Sequence, residues 1–323
     1  MSNFYEDWFA LEGKAIEEKR RAKKAIYPNE LQWIRTRQDF KAALLVAPET
    51  GFRTLGGLTM LSEIPEGWKT GKHSHGEEAM YVLKGKGFSI IDEQRFDWED
   101  GACLRIPFGA IHQHFNQGDT PVHYFSALAP HLEFSCLVAK FQQFEDCGEI
   151  DSTTNQPARI NDYDKQGRRL VLNRKDATIV QRGEVDERVQ DAFWESHPSE
   201  MHKGNHGKMI KMMGSYDDFV AEEVEITDVF VDGPKVAGQK HAHMEAMLYI
   251  IDGEGYTIID EEKFPWSPGT ALHIQGPQTV HQHFATGEVP SQMLRTHFGI
   301  RKYIQPIAQK TFPYLYLGEA RPL

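Results

Sequence analysis

Two stretches of this chain are copies of each other, and this repeat constrains the fold more than any other feature. Residues 73–101 align without gaps on residues 241–269, and 13 of the 29 aligned positions are identical. Both stretches consist of short apolar runs separated by glycine, proline and aspartate, which is typical of an all-β domain. The 323 residues also suffice for two medium-sized domains. The sequence therefore predicts a duplicated β-domain.

The segments that flank the two copies have different compositions. Near the start, EDWFALEGKAIEEKRRAKKAI has apolar residues at a helical period, which predicts a helical arm. Between the copies the chain is polar and has no clear period apart from a strand-like RLVLN, which is typical of a linker. We therefore predict a helical arm at 1–45, a β-domain at 46–145, a linker at 146–207, a second β-domain at 208–303 and an irregular tail at 304–323.

Charge and composition argue against several classes of partner. The 36 basic and 47 acidic residues give a net charge of −11, so we expect no nucleic-acid partner, because this surface repels phosphate backbones. No apolar run is long enough for a membrane helix, and the acidic start lacks the pattern of a signal peptide. The cysteines at 103, 136 and 147 fit neither a disulfide framework nor a CxxC zinc site. A cytoplasmic protein is expected.

Histidines are concentrated in four His-x-His pairs, which account for eight of the 15 histidines. Residues i and i+2 of a strand project from the same face, so the two rings of each pair point in one direction. A single pair is weak evidence for a metal site, since histidines also pack inside cores. The repetition of two pairs in each copy favours metal binding. The pairs are His73 and His75, His112 and His114, His241 and His243, and His281 and His283.

Two segments of the first copy, residues 67–87 and 101–116, resemble the two motifs of the cupin family. The first motif corresponds to Gly67, His73, His75, Glu78 and Gly85, with only two residues between His75 and Glu78. The second motif corresponds at every position to Gly101, Pro107, Gly109, His112 and Asn116. The resemblance implies an all-β bicupin, in which two double-stranded β-helix (jelly-roll) barrels with metal-binding mouths follow an N-terminal helical arm.

The second copy keeps the histidines of both motifs and loses other positions. Ala246 stands where the first copy has Glu78, and Gln275 and Ala285 stand where it has Pro107 and Asn116. Because the first copy matches both motifs better, we predict that it binds metal more tightly and is the catalytic one. The metal ligands that the resemblance implies are His73, His75, Glu78 and His112 in the first copy and His241, His243 and His281 in the second.

The identity of the acidic ligand stays open at the level of sequence. Motif spacing selects Glu78, whereas the internal repeat selects Glu77, because Glu245 matches it in the second copy. Any of these carboxylates could instead orient an imidazole ring from behind. A histidine-rich site without thiolates suits Fe(II), which we expect, and also Mn(II), Ni(II) or Zn(II). His197, His202 and His206 in the linker lack strand spacing and are interpreted as surface residues.

Among bicupins, the chain resembles the gentisate-type ring-cleaving dioxygenases, which share its length, helical arm and three-histidine sites. Glu78 departs from their pattern. The resemblance implies an Fe(II) enzyme whose partners are a small hydroxylated aromatic substrate and O2. The second histidine of each distal pair, His114 or His283, could move protons or bind the substrate. Strand-like segments also supply candidates for binding an anionic substrate, namely Arg53, Arg105 and Arg295.

Two other classes of function remain open. The same ligands with Zn or Mn could serve a redox-neutral isomerase, lyase or hydrolase, because such metals polarise carbonyls or activate water. Non-catalytic binding of a small molecule is the third class. Flat sheet faces and terminal arms predict a homo-oligomer, and the resemblance to hydroquinone-type dioxygenases adds a small partner subunit as an alternative.

Overall fold

The strands of the chain form two barrels, each made of two facing antiparallel sheets. This confirms the predicted all-β bicupin class. A helical arm precedes the barrels, with α1 at Phe4–Phe9 and α2 at Leu11–Arg21. No helix in the described part of the chain is long and apolar enough to cross a membrane. The computed structural model describes residues 3–151, 157–159, 162–181, 207–214, 217–238, 240–276, 279–298, 315–318 and 321–322.

The arm ends in a short strand, β1 (Ala25–Ile26), that belongs to the far barrel. Ala25 pairs with Leu272 and Ile26 pairs with Ala271, so the chain adds an edge strand to the second barrel before it starts the first. Short 3-10 helices follow at Pro28–Glu30 and Pro48–Thr50. The arm predicted at 1–45 is therefore helical only over its first half.

The first barrel combines a six-stranded sheet, in the order β14-β9-β6-β11-β3-β2, with a sheet formed by β12, β5, β10, β4, β13, β7 and β8. Strands β13 and β14 come from the segment predicted as a linker. The elements are β2 Lys41–Leu44, β3 Leu58–Ile64, β4 Trp68–Lys69, β5 Lys72–Ser74, β6 Glu78–Lys84, β7 Gly87–Ile91, β8 Gln94–Trp98, β9 Ala102–Ile106, β10 His112–Asn116, β11 Val122–Leu128, α3 Pro130–Ser135, β12 Gln142–Glu145, β13 Gly148–Glu149 and β14 Val171–Asn173.

The second barrel repeats this plan, with one sheet in the order β1-β23-β20-β25-β17-β16-β15 and a second sheet formed by β22, β21, β24, β18, β27, β19 and β26. A 3-10 helix at Arg174–Asp176 connects the two barrels, and the three linker histidines lie outside the described residues. The strands are β15 Ile179–Gln181, β16 Gly207–Lys211, β17 Val224–Asp232, β18 Val236–Ala237, β19 Lys240–Ala242, β20 Ala246–Asp252, β21 Gly255–Ile259, β22 Glu262–Trp266, β23 Ala271–Ile274, β24 Val280–Ala285, β25 Ser291–Phe298, β26 Leu315–Gly318 and β27 Arg321–Pro322.

Along the inner strands, successive side chains pack alternately into two different hydrophobic cores. In β6, Met80 and Val82 pack inside the first barrel with Leu104 of β9. Their neighbour Tyr81 packs on the opposite face, in a cluster that includes Phe298 of the second barrel. The two-residue period therefore decides which side chains face a barrel interior and which face the other barrel.

Candidate metal centres

Three histidines of the first barrel converge in its interior. His73 of β5 lies directly opposite His112 of β10, and the ring centroids of this pair are 4.1 Å apart. The ring of His75 lies 4.8 Å from that of His73 and 4.7 Å from that of His112. One nitrogen from each ring falls within 4.8 Å of the others. The cross-strand pair and the i, i+2 pair thus form one cluster, as the spacing predicts.

Backbone carbonyls fix which nitrogen of each ring can bind a metal. A carbonyl only accepts hydrogen bonds, so the contacts of His75 Nδ1 with Gly76 O at 2.8 Å and of His112 Nδ1 with Ala110 O at 2.9 Å place the hydrogen on Nδ1. The Nε2 lone pairs then remain for a ligand. Nε2 of His112 is buried and has no hydrogen-bond partner among the described residues. This arrangement fits metal-ligating histidines, whose second nitrogen is usually held by such a carbonyl.

Protonation also fits metal binding. Burial lowers the pKa of His73 to about 2 and holds that of His112 well below its ordinary value. Both imidazoles are neutral at neutral pH, which is the form that binds a metal.

Glu78 completes the first cluster with a carboxylate. Its Oε2 lies 3.2 Å from His75 Nε2 and 3.8 Å from His112 Nε2, and its Oε1 accepts a hydrogen bond from the Ser126 hydroxyl. Burial alone would raise the pKa of Glu78, but the hydrogen bond and charge of His75 bring it down to about 2. An ionised carboxylate beside three imidazole rings is a suitable ligand set for a divalent first-row metal. Of the candidate acids, Glu78 is therefore the one that reaches the cluster.

The second barrel repeats the three-histidine cluster. His241 of β19 lies opposite His281 of β24, with ring centroids 4.3 Å apart, and the ring of His243 lies 4.7 Å from that of His281. His243 Nδ1 contacts Met244 O at 2.5 Å, and His281 Nδ1 contacts Thr279 O at 3.2 Å. Burial lowers the pKa of His281 to about 4, and its buried Nε2 has no hydrogen-bond partner among the described residues.

The second histidine of each distal pair is held by the same chain of hydrogen bonds in both barrels. In the first barrel, Trp98 Nε1 donates to Ser89 Oγ at 2.9 Å, and that hydroxyl lies 2.7 Å from His114 Nδ1. In the second, Trp266 Nε1 donates to Thr257 Oγ1 at 3.1 Å, which lies 2.8 Å from His283 Nδ1. The His114 ring lies 5.5 Å from the His112 ring, and the His283 ring lies 5.4 Å from the His281 ring. One nitrogen of His114 also falls within 4.8 Å of ligand atoms of Glu78 and His112.

Glu77 and Glu245 connect the barrels and do not face the clusters. The Glu77 carboxylate accepts hydrogen bonds from the backbone N–H groups of Glu222 and Val224, at 3.1 and 2.9 Å. The Glu245 carboxylate accepts one from Leu55 N–H at 3.0 Å and lies 2.8 Å from His273 Nε2. Each glutamate therefore binds the backbone of a segment that leads into a strand of the other barrel. We call these two contacts the clasps, and they explain why both copies keep this glutamate.

The three candidate arginines occupy different surroundings. Arg105 lies on the face of β9 that is turned toward the other barrel, where its guanidinium pairs with Glu77 at 2.5 Å and Glu222 at 3.0 Å. Arg53 pairs with Glu18 at 3.3 Å in an exposed position. We therefore no longer regard Arg53 and Arg105 as substrate-binding candidates. Arg295 remains one, because β25 places it opposite Leu248 of β20, whose side chain packs inside the second barrel.

Sequence reasoning missed a buried acid near the first cluster. Tyr124 of β11 donates a hydrogen bond to Asp39 Oδ1 at 2.6 Å, and its ring lies 5.8 Å from that of His114. Burial raises the pKa of Asp39 to about 7. Asp39 comes from the arm, and no motif or period marks it, so only the folded chain brings it into the barrel.

An aromatic rim at the mouth of the first barrel was also missed. The Phe141 ring lies 5.4 Å from the His75 ring and stacks on Phe134 at 5.5 Å. Phe141 is 53% exposed and Phe134 is 43% exposed. The phenylalanine-rich stretch that follows β11 was the available signal. It places apolar rings beside the metal cluster.

Comparisons with known proteins agree with this architecture. Residues 60–128 match the family model "Cupin domain". The chain is 34% identical over 61 residues to an uncharacterized protein of Methanocaldococcus jannaschii, an alignment that covers 18% of this chain. The chain spans about half of that relative, since the match covers 49% of its length.

Solved structures with a similar fold include two kinds of enzyme. Salicylate 1,2-dioxygenase from Pseudaminobacter salicylatoxidans superposes with a TM-score of 0.59 at 13% identity, covering 86% of this chain and 80% of that one. A structure of that enzyme with gentisate gives 0.59 and 13%, covering 97% and 83%. Oxalate decarboxylase of Bacillus subtilis, described with Mn(II) centres, gives 0.59 and 11%, covering 85% and 77%. The chain thus has a bicupin fold that is shared by enzymes of different chemistry.

Proposed function

We propose that this bicupin is an Fe(II)-dependent dioxygenase that cleaves the ring of a hydroxylated aromatic compound in its first barrel. The observation that carries the proposal is the cluster of His73, His75, His112 and Glu78 beneath the Phe141 ring. Ferrous iron on these ligands would supply the one-electron chemistry that joins an aromatic substrate to O2.

The first barrel would hold an aromatic substrate against its apolar rim. Phe141 offers a ring face next to His75, and aromatic pairs stack favourably in such an offset arrangement. Two buried carboxyl groups, those of Glu78 and Asp39, lie close to the cluster. They would disfavour a substrate carboxylate, because like charges repel in a buried site. A neutral catechol or hydroquinone therefore suits the first barrel better than gentisate.

We assign the movement of a proton in this barrel to His114. Its Nδ1 is occupied by Ser89, so Nε2 is the atom that can exchange a proton with a substrate hydroxyl. Burial lowers the pKa of His114 to about 4, so the ring is neutral at neutral pH. The Trp98–Ser89 chain keeps the imidazole in one orientation.

A redox-neutral metal enzyme is the second candidate. The observation that favours it is Glu78, since a ligating carboxylate departs from the three-histidine pattern of the gentisate-type enzymes. The fold similarity to oxalate decarboxylase fits this candidate as well. Mn(II), Ni(II) or Zn(II) on the same ligands would polarise a bound carbonyl or activate water.

Metal replacement under controlled oxygen tests the two candidates. Apoprotein is loaded anaerobically with Fe(II), Mn(II) or Zn(II), and oxygen uptake is followed with catechol, hydroquinone and gentisate. We expect uptake with Fe(II) and a neutral diphenol, and none with Zn(II), which has no accessible redox step. Product formed without oxygen, or equal rates with Zn(II) and Fe(II), would favour the redox-neutral candidate. Phe141→Ala should raise the KM for the diphenol without changing metal content.

We also infer that the protein forms a homo-oligomer through its arm. Helices α1 and α2 have no buried residues, and Phe4, Trp8 and Phe9 are 68%, 60% and 72% exposed. Such a patch marks an interaction surface. Light scattering on the whole chain and on a Trp8→Glu variant should show a multimer that weakens in the variant. A monomeric wild-type protein would contradict the inference, and co-purification with a smaller chain would support a partner subunit instead.

A further inference from the structure

Helix α3 ends in a conformation that its sequence does not favour. Val138 N–H donates to the Glu133 carbonyl at 3.0 Å and Leu137 N–H donates to the Phe134 carbonyl at 3.1 Å, which together form a Schellman motif. The residue after the last turn of this motif takes the left-handed conformation and is usually glycine. Here it is Leu137, with a φ of 57°. Leucine is strained in this conformation because its Cβ approaches the following carbonyl oxygen.

Burial does not compensate for the strain at Leu137. Its side chain is 89% exposed, and the next residue, Val138, is 59% exposed. An exposed leucine contributes little to stability, because the hydrophobic effect requires apolar area to be removed from water. Glycine would suit this helix end better, so the fold alone gives no reason for a leucine here. Backbone strain that the fold does not require indicates a function.

The end of α3 continues the aromatic rim of the first barrel. Phe134, whose carbonyl accepts the hydrogen bond from Leu137, stacks on Phe141 at 5.5 Å. Phe141 in turn lies 5.4 Å from the ring of His75. Exposed apolar side chains therefore follow one another from the metal cluster to the end of α3. A continuous apolar surface of this kind marks a ligand-binding groove or an interface.

Charge and position favour the substrate over other occupants of this surface. The anionic surface of a membrane repels a chain with a net charge of −11. The arm, to which we assign the contact between copies, is joined to the second barrel by the ion pair of Lys19 with Asp260 at 2.9 Å. The rim, in contrast, belongs to the first barrel. The substrate has to reach the histidine cluster, which lies where the rim begins.

We propose that the substrate of the first barrel is a diphenol with an apolar substituent, such as an alkyl chain, which lies along Phe141 and Phe134 and ends at Leu137. This inference rests on the proposed function and narrows its substrate class. The diphenol ring binds at the cluster, and the alkyl chain covers the exposed faces of the rim, so that both apolar surfaces leave water. Phe134 and Leu137 determine specificity and take no part in the chemistry.

Calorimetric titration of the as-purified protein under nitrogen, with catechol and with hexylcatechol, tests the proposal without turnover. Since each buried methylene group strengthens binding about fourfold and the rim covers one side of the chain, hexylcatechol should bind at least about 30-fold more tightly than catechol. Leu137→Gly should reduce this preference by about fivefold or more. It should also keep or raise the melting temperature, because glycine relieves the strain. Phe134→Ser should reduce the preference as well.

The matched control is Val289→Gly, which removes an exposed apolar side chain between β24 and β25 of the second barrel, 53% exposed in the wild type. It should leave the preference for hexylcatechol unchanged. Equal affinities of the wild type for the two diphenols, or a preference that persists in Leu137→Gly and Phe134→Ser, would overturn the proposal. Loss of a multimer in Leu137→Gly with the preference unchanged would assign the rim to the contact between copies and would also overturn it.

The failure of this inference and the failure of the proposed function are distinguishable. Oxygen uptake with both diphenols at equal affinity would remove only the apolar substituent. A preference for hexylcatechol without oxygen uptake under any metal would remove ring cleavage and leave the apolar binding surface standing.

Discussion

The two barrels share a metal-binding framework and differ in the charges around it. In both, a cross-strand histidine pair sets the cluster, His73 with His112 and His241 with His281. Backbone carbonyls set the tautomers in both. These features depend on strand register and backbone, so duplication copies them together. The carboxylate of Glu78, in contrast, depends on one side chain, which a single substitution can add or remove. Ligand geometry and the charge beside it can therefore diverge separately in such a fold.

The two clasps likewise share their contacts with the backbone of the other barrel and differ in the side chain that pairs with each glutamate. Glu77 pairs with Arg105, and Glu245 pairs with His273, at equivalent positions of the repeat. Both glutamates bind the backbone of the other barrel. The first clasp buries a full ion pair, with the Glu77 side chain 0% and the Arg105 side chain 5% exposed. The barrels are therefore joined by contacts of unequal electrostatic character.

The largest expected difference between the barrels is in the rate of oxygen uptake after one metal ligand is removed from either of them. His112→Ala should lower the rate of oxygen uptake by at least about 1,000-fold, because the substitution removes a ligand from the proposed catalytic centre. His281→Ala should keep most of the activity. Oxygen-electrode rates and metal analysis of both variants provide the measurement. Loss of turnover in His281→Ala alone, with His112→Ala active, would assign catalysis to the second barrel.

Breaking the clasps should affect stability unequally. Among the described residues, Glu77→Ala leaves the buried Arg105 guanidinium with only the exposed Glu222 as a carboxylate partner, so the free energy of unfolding should fall by about 3 kcal/mol. Glu245→Ala removes hydrogen bonds to Leu55 and His273 and should cost about 1–2 kcal/mol. Guanidinium-induced unfolding measures both. A cost for Glu245→Ala that equals or exceeds that of Glu77→Ala would show that the charge difference is unimportant.

Glu78 should distinguish the metal affinities of the barrels. In a His281→Ala background, where only the first barrel is complete, Glu78→Ala should weaken metal binding about 10- to 100-fold. Competition with a chromophoric chelator gives the affinity. The reciprocal change, Ala246→Glu in a His112→Ala background, should strengthen binding in the second barrel. If Glu78→Ala leaves the affinity unchanged, the carboxylate acts only on the orientation of His75.

Much of the fold and the histidine clusters could be predicted from the sequence because they depend on local periodicities. The repeat indicated two barrels, and the His-x-His spacing indicated which rings share a face. The choice between Glu77 and Glu78 could not be settled in this way. Adjacent residues of an extended chain project to opposite sides, so only one of the two glutamates can face the histidines. The repeat selects Glu77, which forms the first clasp, whereas Glu78 faces the cluster.

Other features depend on contacts between distant parts of the chain, and sequence patterns do not encode them. Asp39 reaches Tyr124 across 85 residues. Arg105 is a predicted substrate ligand because it lies in a strand-like segment, but parity turns its side chain toward the other barrel. The side chain of Arg295 has the opposite parity along its strand, since Leu294 packs between the barrels and Met293 packs inside the second barrel. Arg105 and His273 occupy equivalent positions in the alignment of the two copies, and each pairs with the glutamate of a clasp. This equivalence indicates that position 105 serves the contact between the barrels.

The smallest expected effect concerns a pH dependence beside the first clasp. Glu133 of α3 is buried beside Glu77, and burial, followed by its contact with Glu223, raises its pKa from 4.5 to about 8. A raised pKa means that the folded chain holds a proton that the unfolded chain releases. This contribution to stability is complete below about pH 4.5 and is lost as the pH rises toward about 8. Glu133→Gln keeps the shape without the titration. The variant should therefore gain about 1 kcal/mol relative to wild type between about pH 5 and pH 8, as measured by denaturant unfolding at both values. A pH-independent difference between wild type and Glu133→Gln would mean that this carboxyl ionises freely beside the first clasp.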